Sequence, residues 1–362
     1  MIIEGLRRNG IDVVECHEDL WKGTSEKLAG IQDGFSIIKK LLRILQVYLK
    51  LIRKYWSIGY YDAIIVGYAG HIDVFLAKFL NIFRRKPLIF DAFLSLYDTA
   101  VVDRGIISPA SVRAKLLHLI DRWSCRLADA VLLDTSAHID YFVREFRLPA
   151  GKFHAIPVGS SLMMNRLNPI QTEHGNKFNV LYFGSYIPLH GVDVILKAAK
   201  ILQDKDNETV LFTLVGTGQL LPEMKGLASR LELKNVSFVD RFVGEEELVD
   251  YINGADVCLG IFGTTDKALR VIPCKVYNCL AMGKPLITSR SLAAEGILTN
   301  AENALLSEPG SPESLADGIL TLRNNEMLSQ KMASGGRQFF NKNFSIAAIG
   351  RKVAEVIKGV AT

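Results

Sequence analysis

The stretch Val180-Leu-Tyr-Phe-Gly184-Ser185-Tyr-Ile-Pro-Leu-His190-Gly191-Val-Asp193 decides the fold of this chain. An apolar strand ends at Gly184, a short loop follows, and Gly191 opens an amphipathic helix. The loop N–H groups and the helix N-terminus favour an anion, by roughly 0.3–2 kcal/mol for the dipole alone. The pattern predicts a parallel α/β domain with a diphosphate site. An ordinary βα turn, in which glycine supplies only backbone freedom, remains an alternative.

A second stretch, Arg270-Val-Ile-Pro273-Cys-Lys275-Val-Tyr-Asn278-Cys-Leu-Ala-Met-Gly283, predicts a helix between Pro273 and Gly283. Lys275 stands in its first turn, where a cation is unfavourable unless an anion meets it. Asn278 lies on the same face and is within reach of a ribose hydroxyl or a second phosphate oxygen. This pattern indicates a bound phosphate. The alternative is a solvated lysine at a frayed helix end.

Outward from these stretches, short runs of Val, Ile and Leu alternate with helical patterns, which is the rhythm of parallel sheets covered on both faces. In the first half the predicted strands are Ile11–Glu15, Asp62–Gly67, Leu88–Asp91, Ala130–Asp134 and His154–Val158. In the second half they are Asn179–Gly184, Val210–Gly216, Val236–Val239, Asp256–Ile261, Leu286–Thr288 and Ala304–Ser307. The polar stretch Asn165–Lys177 is the predicted linker.

The 362 residues suffice for two α/β domains. No apolar run is long enough to span a bilayer, and the N-terminus does not read as a signal peptide. The five cysteines are scattered, which is typical of reduced cytosolic thiols, so we expect a cytoplasmic protein. The net charge of +5 resides in residues 1–158, with 22 Lys and Arg against 17 Asp and Glu, which makes this half the one to face an anionic partner.

The chain opens with a helical pattern at Ile3–Gly10, without the strand that should feed it. In a doubly wound domain that strand and its glycine-rich turn would lie at the edge where ligands bind. Either the chain starts downstream of the complete protein's start or the fold has lost its first strand. We expect the former.

The run from Leu88 to Arg104 predicts a buried strand that leads into a polar loop. Its polar side chains are candidates for a cleft between the domains, namely Asp91, Ser95, Asp98, Asp103 and Arg104. Asp98 and Asp103 could instead cap the loop. His71 follows the preceding strand at the same edge, although a lone histidine is more often a structural hydrogen-bonding group.

Residues 36–57 predict an amphipathic helix without an acidic residue. Its basic side chains fall within an arc of about 140° at 100° per residue; they are Lys39, Lys40, Arg43, Lys50, Arg53 and Lys54. The helix either packs on the sheet with a solvated outer face or presents this face to anionic lipid, whose attraction is worth about 1 kcal/mol per charge. The two alternatives are compatible if the apolar face is packed on the sheet and only the basic face meets the membrane.

Together these stretches resemble retaining glycosyltransferases of the GT-B fold, the "group one" or family-four class. The resemblance covers most of the chain from about Tyr61 to Phe344 and rests on the order and spacing of motifs that are weak singly. The further motifs are Leu214-Val-Gly216-Thr-Gly218, Val236-Ser-Phe-Val-Asp-Arg241-Phe242, the acidic helix start Glu245–Glu247, Ala255-Asp-Val257, Glu302-Asn-Ala-Leu-Leu306 and Asn343-Phe-Ser345.

The resemblance implies two Rossmann-like domains whose parallel sheets face a central cleft. The implied boundaries are 1–164 for an acceptor-side domain, 165–344 for a nucleotide-sugar-binding domain and 345–362 for a helix that crosses back to the first domain. The candidate donor-binding residues are Gly184, Ser185, His190, Gly191, Gly216, Arg241, Phe242, Arg270, Lys275 and Asn278. The catalytic candidates are Asp91, Asp98 and His71.

The chain departs from the family at several positions. The family usually has Lys where His190 stands, often an Arg between Ser185 and Ile187, and two Glu residues where Arg270 and Asn278 stand. A subgroup with Pro-x-Lys before the helix carries its phosphate charge at the residue that matches Lys275. The strand at Leu88 lacks the family's sugar-contacting histidine. We therefore interpret the donor site as altered but present.

The implied reaction moves a sugar from a nucleotide diphosphate donor, with retention, to a glycan or lipid-linked acceptor. An anionic membrane surface is a further candidate partner. Lys275, Arg270 and His190 would place cations where the leaving group develops charge. No Asp-x-Asp motif indicates a metal, no cofactor is implied besides the donor substrate, and nothing indicates nucleic acid as a partner. A nucleotide-sugar epimerase and a catalytically silent scaffold on the same fold remain as alternatives.

Overall fold

The structure is a computed structural model that describes residues 1–19, 37–162, 177–205 and 209–361, without the side chains of residues 37–41. The predicted linker Asn165–Lys177 lies outside the described residues, apart from Lys177. The side chains of Lys39 and Lys40, two of the six predicted basic residues, also lie outside them.

The described residues form alternating helices and strands. In the N-terminal half these are α1 Ile2–Arg8, α2 Ile37–Ser57, β1 Ile64–Val66, α3 Asp73–Asn81, β2 Leu88–Phe93, α4 Val112–Leu127, β3 Ala130–Leu133, α5 Ser136–Phe146 and β4 Phe153–Ala155. The C-terminal half has β5 Phe178–Phe183, α6 Val192–Asp204, β6 Val210–Val215, α7 Leu221–Arg230, β7 Val236–Val239, α8 Glu245–Asn253, β8 Val257–Leu259, α9 Cys274–Ala281, β9 Leu286–Ser289, α10 Leu292–Glu295, β10 Leu305–Ser307, α11 Pro312–Asn324, α12 Glu326–Asn343 and α13 Ile346–Ala361.

The strands form two parallel sheets, one in each half. The N-terminal sheet has the order β1-β2-β3-β4, and the C-terminal sheet has the order β10-β9-β8-β5-β6-β7. In the C-terminal sheet Tyr182 of β5 pairs with Leu214 of β6 on one side and Leu259 of β8 on the other. The predicted α/β class is confirmed, and each strand predicted in the second half overlaps an observed one.

The N-terminal sheet is buried on both faces, which explains its nearly continuous apolar strands. Leu88 and Phe90 of β2 face a core that includes Phe142 of α5. Ile89, between them, points to the other face, where it packs with Leu6 of α1 and Val353 of α13. The last helix therefore belongs to the core of the N-terminal sheet.

Helices α1 and α13 approach each other closely at two glycines. A Cβ atom on Gly350 would overlap the carbonyl of Gly5, and one on Gly5 would lie 2.5 Å from Ile346 O. Only glycine allows two backbones to pack at such a distance. The two helices thus form one continuous cover over the sheet.

The prediction of a strand at Ile11–Glu15 is wrong. Ile11 and Val13 pack against the core beside α1, as alternate residues of a strand would, but the segment pairs with no described strand. The chain turns away at Val14, which is 68% exposed, and Cys16 contacts the carbonyl of Leu51 in α2. Alternation over only two partly buried residues is too short to distinguish a strand from an extended segment.

Across the described stretches, no helix combines the length and the hydropathy that crossing a bilayer requires.

Candidate functional site

The C-terminal sheet has a switch point between β5 and β8. Strands β6 and β7 extend from one side of β5, whereas β8, β9 and β10 extend from the other. The loops that leave the carboxyl ends of β5 and β8 therefore separate, and open α/β sheets bind ligands in the crevice between such loops. Both stretches singled out in the sequence lead into this crevice.

Glycines bring the loops at this edge into backbone contact. Gly184 and Gly216 adopt φ of +138° and +131°, and a Cβ on Gly216 would overlap Gly184 O. Gly191 has φ +61°, and a Cβ there would overlap Gly263 N in the loop after β8. Larger residues would push these loops apart, so the glycines set the width of the crevice.

Lys275 points inward from the first turn of α9 and is only 5% exposed. Its ammonium lies 4.0 Å from the ring centre of Tyr182 and 2.9 Å from where a Cβ on Gly184 would be. No carboxylate within the described part of the chain comes within 4.0 Å of it. Burial holds the pKa of Lys275 well below its ordinary value. The alternative of a solvated lysine is therefore wrong.

His190 lies next to Lys275, but it is neutral. Its Nδ1–H donates to Ser185 O at 2.5 Å, and Nδ1 lies 3.5 Å from Lys275 Nζ. Burial, reinforced by the Lys275 cation, holds the pKa of His190 well below its ordinary value. The expectation that His190 supplies a cation is wrong, because burial disfavours the protonated imidazole and the neighbouring Lys275 adds to this effect.

Arg270 and Asp98 face each other across the two halves. Arg270 Nη2 donates to Asp98 Oδ1 at 2.8 Å, and the guanidinium lies 3.8 Å from the ring centre of Tyr141. The side chain of Thr135 donates to the Arg270 carbonyl. Arg270 was expected to bind phosphate and Asp98 to act in catalysis, yet the structure commits each to the other.

Two further charges surround this pair. Lys267 Nζ donates to Thr99 Oγ1 at 2.6 Å and lies 3.5 Å from Asp98 Oδ2. Burial lowers the pKa of Lys267 and raises that of Asp103. We call Asp98, Asp103, Lys267 and Arg270 the interdomain charge cluster. Its two acidic and two basic side chains can compensate each other's charge, which lowers the cost of burying them.

A second polar contact crosses between the halves. Ser160 Oγ donates to Asn278 Oδ1 at 2.6 Å and accepts from Leu162 N at 3.0 Å. The oxygen of Asn278 is thus occupied, and its amide nitrogen remains the group suited to a ribose hydroxyl or a phosphate oxygen.

A comparison with protein families points to the same half of the chain as the crevice. The family described as "Glycosyl transferases group 1" matches residues 165–339, which include both glycine loops and Lys275. The chain carries a group 1 glycosyltransferase domain.

Curated relatives of this domain are distant. A 165-residue stretch is 24% identical to an uncharacterized glycosyltransferase of Methanocaldococcus jannaschii, covering 46% of this chain and 43% of that protein. A 172-residue stretch is 22% identical to the amylovoran biosynthesis glycosyltransferase of Erwinia amylovora, covering 47% and 42%. A 173-residue stretch is 24% identical to a lipopolysaccharide core biosynthesis glycosyltransferase of Rhizobium meliloti, covering 48% and 47%. The matched stretches span less than half the length of these relatives.

Solved structures match nearly the whole chain. The Anabaena protein HepE in complex with UDP and glucose aligns with a TM-score of 0.63 and 17% identity, covering 96% of this chain and 86% of HepE. Sucrose-phosphate synthase from Thermosynechococcus elongatus aligns with a TM-score of 0.67 and 17% identity, covering 90% and 79%. At such identities the likeness shows the fold, which is GT-B.

The remaining donor-site candidates of the group 1 domain lie at the rim. Arg241 pairs with Glu247 at the start of α8, one of its two hydrogen bonds measuring 2.8 Å, and both side chains are exposed. Phe242 is 87% exposed. Both follow β7, whose Val239 O accepts from Gly216 N, so they lie near the same edge as Gly216. Ser185 is exposed and contributes its carbonyl to His190.

His71 is held in a buried hydrogen-bond network in the N-terminal half. Its Nε2–H donates to Leu94 O at 3.0 Å, and Nε2 lies 3.5 Å from Asp121 Oδ1. Asp121 also accepts from Ser95 Oγ at 2.6 Å and Tyr97 N at 2.9 Å. These bonds fit the structural alternative for His71, since they fix the loop between β2 and Asp98.

Several residues of the site were missed in the sequence. Lys267 stands three residues before Arg270, and two cations at this spacing in an apolar stretch were the available signal for a shared acidic partner. Asp121 offered a weaker one, a single acid inside the otherwise basic and apolar helix α4. Ser160 gave no signal, because a serine in a loop is unremarkable without its distant partner Asn278.

Removal of Asp98 should destabilise the chain strongly. The variant Asp98→Ala leaves Arg270 and Lys267 buried without their shared carboxylate, and we expect the free energy of unfolding to fall by roughly 3–5 kcal/mol. Chemical denaturation followed by circular dichroism measures the change. As control, Glu247→Ala breaks the exposed pair with Arg241 and should cost much less. Equal losses in the two variants would contradict the argument from burial.

Asp91 should make stability depend on pH. Burial raises the pKa of this carboxyl to about 6, so its favourable contribution is complete below the unfolded value of about 4 and is lost as pH rises through 6. Relative to pH 4, Asp91→Asn should gain about 1–3 kcal/mol over the parent by pH 7. Denaturation at both pH values tests this, with the exposed Asp12→Asn as control. A difference independent of pH would rule out a raised pKa.

Proposed function

We propose that this chain is a metal-independent, retaining glycosyltransferase whose nucleotide diphosphate donor binds at the switch-point crevice. The observation that carries the proposal is the buried amino group of Lys275 beside Gly184, without a carboxylate partner among the described residues. An isolated buried cation is costly. A diphosphate in the crevice would supply the missing negative charge.

The proposed reaction depends on stabilising the leaving group. The bond between the anomeric carbon and the diphosphate oxygen breaks, its electron pair stays on the diphosphate, and an acceptor hydroxyl loses its proton as it bonds to the carbon. Lys275 and the loop N–H groups after Gly184 stand where that charge develops. Because His190 is neutral and Arg270 is paired with Asp98, Lys275 is the leading cation in this proposal.

The other donor contacts follow from position. The glycines at 184, 191 and 216 admit the diphosphate close to the backbone, and the amide of Asn278 reaches the ribose or a phosphate. The exposed ring of Phe242 is suited to pack on the nucleobase, with Arg241 beside it. On the acceptor side Asp91, whose raised pKa favours proton exchange near neutral pH, is the remaining catalytic candidate.

The acceptor we propose is a glycan or a lipid-linked intermediate, with the protein peripheral at an anionic membrane surface. The amylovoran and lipopolysaccharide relatives support this class of acceptor. The first donor to test is a UDP-hexose, because HepE has been solved with UDP-glucose. Release of UDP that requires an acceptor would support transfer, whereas a new sugar nucleotide formed from the donor alone would identify an epimerase.

Lys275→Met should weaken donor binding while leaving the fold intact. Methionine keeps an unbranched side chain over Tyr182 but removes the charge, and a charge-assisted hydrogen bond is typically worth about 1.5–3 kcal/mol. We therefore expect UDP or GDP binding in calorimetry to weaken roughly ten- to a hundredfold, with uridine binding unchanged. Lys275→Arg should rescue only partly, because its planar fork does not fit the site of a compact ammonium. Unchanged diphosphate binding by the methionine variant, or no binding of either diphosphate by the parent, would refute the donor site.

Diphosphate binding should take up protons through Lys275. Burial lowers its pKa in the free protein, and a bound diphosphate would raise it again, so affinity should fall as pH rises through the free value. Calorimetry in buffers of different ionisation enthalpy measures the proton uptake directly. Lys275→Met should remove this dependence. Proton release on binding, or the same dependence in the methionine variant, would contradict the assignment.

A further inference from the structure

Helix α2 exposes a stripe of large apolar side chains. Leu42, Leu45, Leu49 and Trp56 recur at helical spacing and are between 48% and 55% exposed. The neighbouring face is the one that packs, since Tyr55 is buried and Tyr48 donates to Asp73 Oδ1 at 2.7 Å. The apolar face of this helix was expected to be covered. The structure covers only part of it.

Helix α3 and the turn after it continue this exposure. Ile72, Phe75, Phe79, Ile82 and Phe83 follow the same spacing, and they are between 38% and 71% exposed. The rings of Trp56 and Phe83 lie 5.8 Å apart, which joins the two stripes. Nine large apolar side chains thus form one patch, the α2–α3 apolar surface, whereas soluble proteins rarely leave such patches open.

The junction of the patch is rigid. The guanidinium of Arg84 lies 5.0 Å from the ring centre of Tyr55 and 5.7 Å from that of Trp56. Its Nη1 donates to the carbonyls of Ile58 and Gly59, each at 2.9 Å. Arg84 therefore ties the end of α2 to the turn after α3 and holds both stripes on one side of the molecule.

Cations border the apolar residues. Lys50, Arg53 and Lys54 are exposed on the side of α2 next to the stripe, and Arg85 is exposed immediately after Phe83 and Arg84. An apolar centre with a basic border is the pattern of elements that lie in a membrane interface, with their apolar side chains among the acyl chains and their cations at the headgroups.

We propose that the α2–α3 apolar surface inserts into the interface of a lipid bilayer that contains anionic lipid. The proposal deepens the proposed function, on which it rests for its biological role, because it names the surface by which a lipid-linked acceptor would be approached. It differs from the expectation drawn from the sequence, in which only the charges of α2 meet the membrane, because here apolar side chains insert into it. The basic border disfavours a second copy of the chain as occupant, because a two-fold contact would bring the same cations together.

Vesicle cosedimentation of the full chain tests the surface. Phe79→Ser combined with Ile82→Ser should weaken binding to phosphatidylcholine–phosphatidylglycerol vesicles at least about tenfold. Lys50→Gln combined with Arg53→Gln should weaken binding to these vesicles roughly tenfold or more and leave binding to pure phosphatidylcholine unchanged. Met327→Ser, which removes an exposed apolar side chain from the other half, should change neither. Thermal melts confirm that the variants are folded.

The fluorescence of Trp56 reports insertion directly. The difference between the parent and Trp56→Phe should contain an emission that shifts to the blue on anionic vesicles and is quenched by brominated acyl chains. Trp123→Phe should retain both effects. Partial binding at high salt is also expected, since screening weakens the charges but not the apolar contacts.

Three outcomes would overturn the proposal. The first is vesicle binding that vanishes in high salt and is unchanged by Phe79→Ser with Ile82→Ser. The second is no vesicle binding at all. The third is a concentration-dependent dimer that Phe79→Ser with Ile82→Ser disperses. Lys275→Met should bind vesicles like the parent. A failed donor site and a failed membrane surface are therefore distinguishable, because the first leaves vesicle binding intact and the second leaves diphosphate binding intact.

Discussion

The ion pair between Asp98 and Arg270, with Lys267 beside it, is the interaction on which the arrangement of the two halves depends. It joins the loop after β2 to the loop after β8, at the edge where the crevice opens. Buried pairs contribute little net stability when complete but cost much when broken. Such a contact therefore specifies one relative position of the two halves more than it strengthens them. Any ligand that recruits Arg270 must first supply a substitute for Asp98.

Lys275, unlike Arg270, is buried without an acidic partner among the described residues. Its amino group is buried beside Gly184 with no acid to balance a positive charge in the described chain, so protonation of Lys275 in the empty crevice is unfavourable. Proteins tolerate such costs chiefly where a ligand removes them, and perturbed titration in a crevice is typical of functional sites. The neutral state of His190 follows first from its own burial and then from Lys275 beside it, because two adjacent buried cations would repel each other.

The sequence predicted what depends on local pattern. Strands of the second half, the glycine loops and the place of Lys275 in the first turn of a helix follow from apolar periodicity and from capping, which act over a few residues. The pairing of Asp98 with Arg270 joins residues 172 apart and leaves no local trace. The short run at Ile11 misled because side-chain burial without strand pairing gives the same alternation. Amphipathic periodicity in α2 showed which residues share a face but not which face the fold covers.

The two kinds of cation in this chain act over different ranges. Exposed charges such as Lys50 and Arg53 act across a Debye length of about 8 Å and attract any anionic surface, so alone they select poorly. The ammonium of Lys275 is shielded from solvent and acts only on a group that has entered the crevice and shed its water, where geometry is restrictive. Because the excess charge lies in the first 158 residues and the buried cation in the second half, attraction to a surface and recognition of a donor fall to separate parts of the chain. Substitutions in one should therefore leave the other function intact, which is what a modular two-sheet architecture permits.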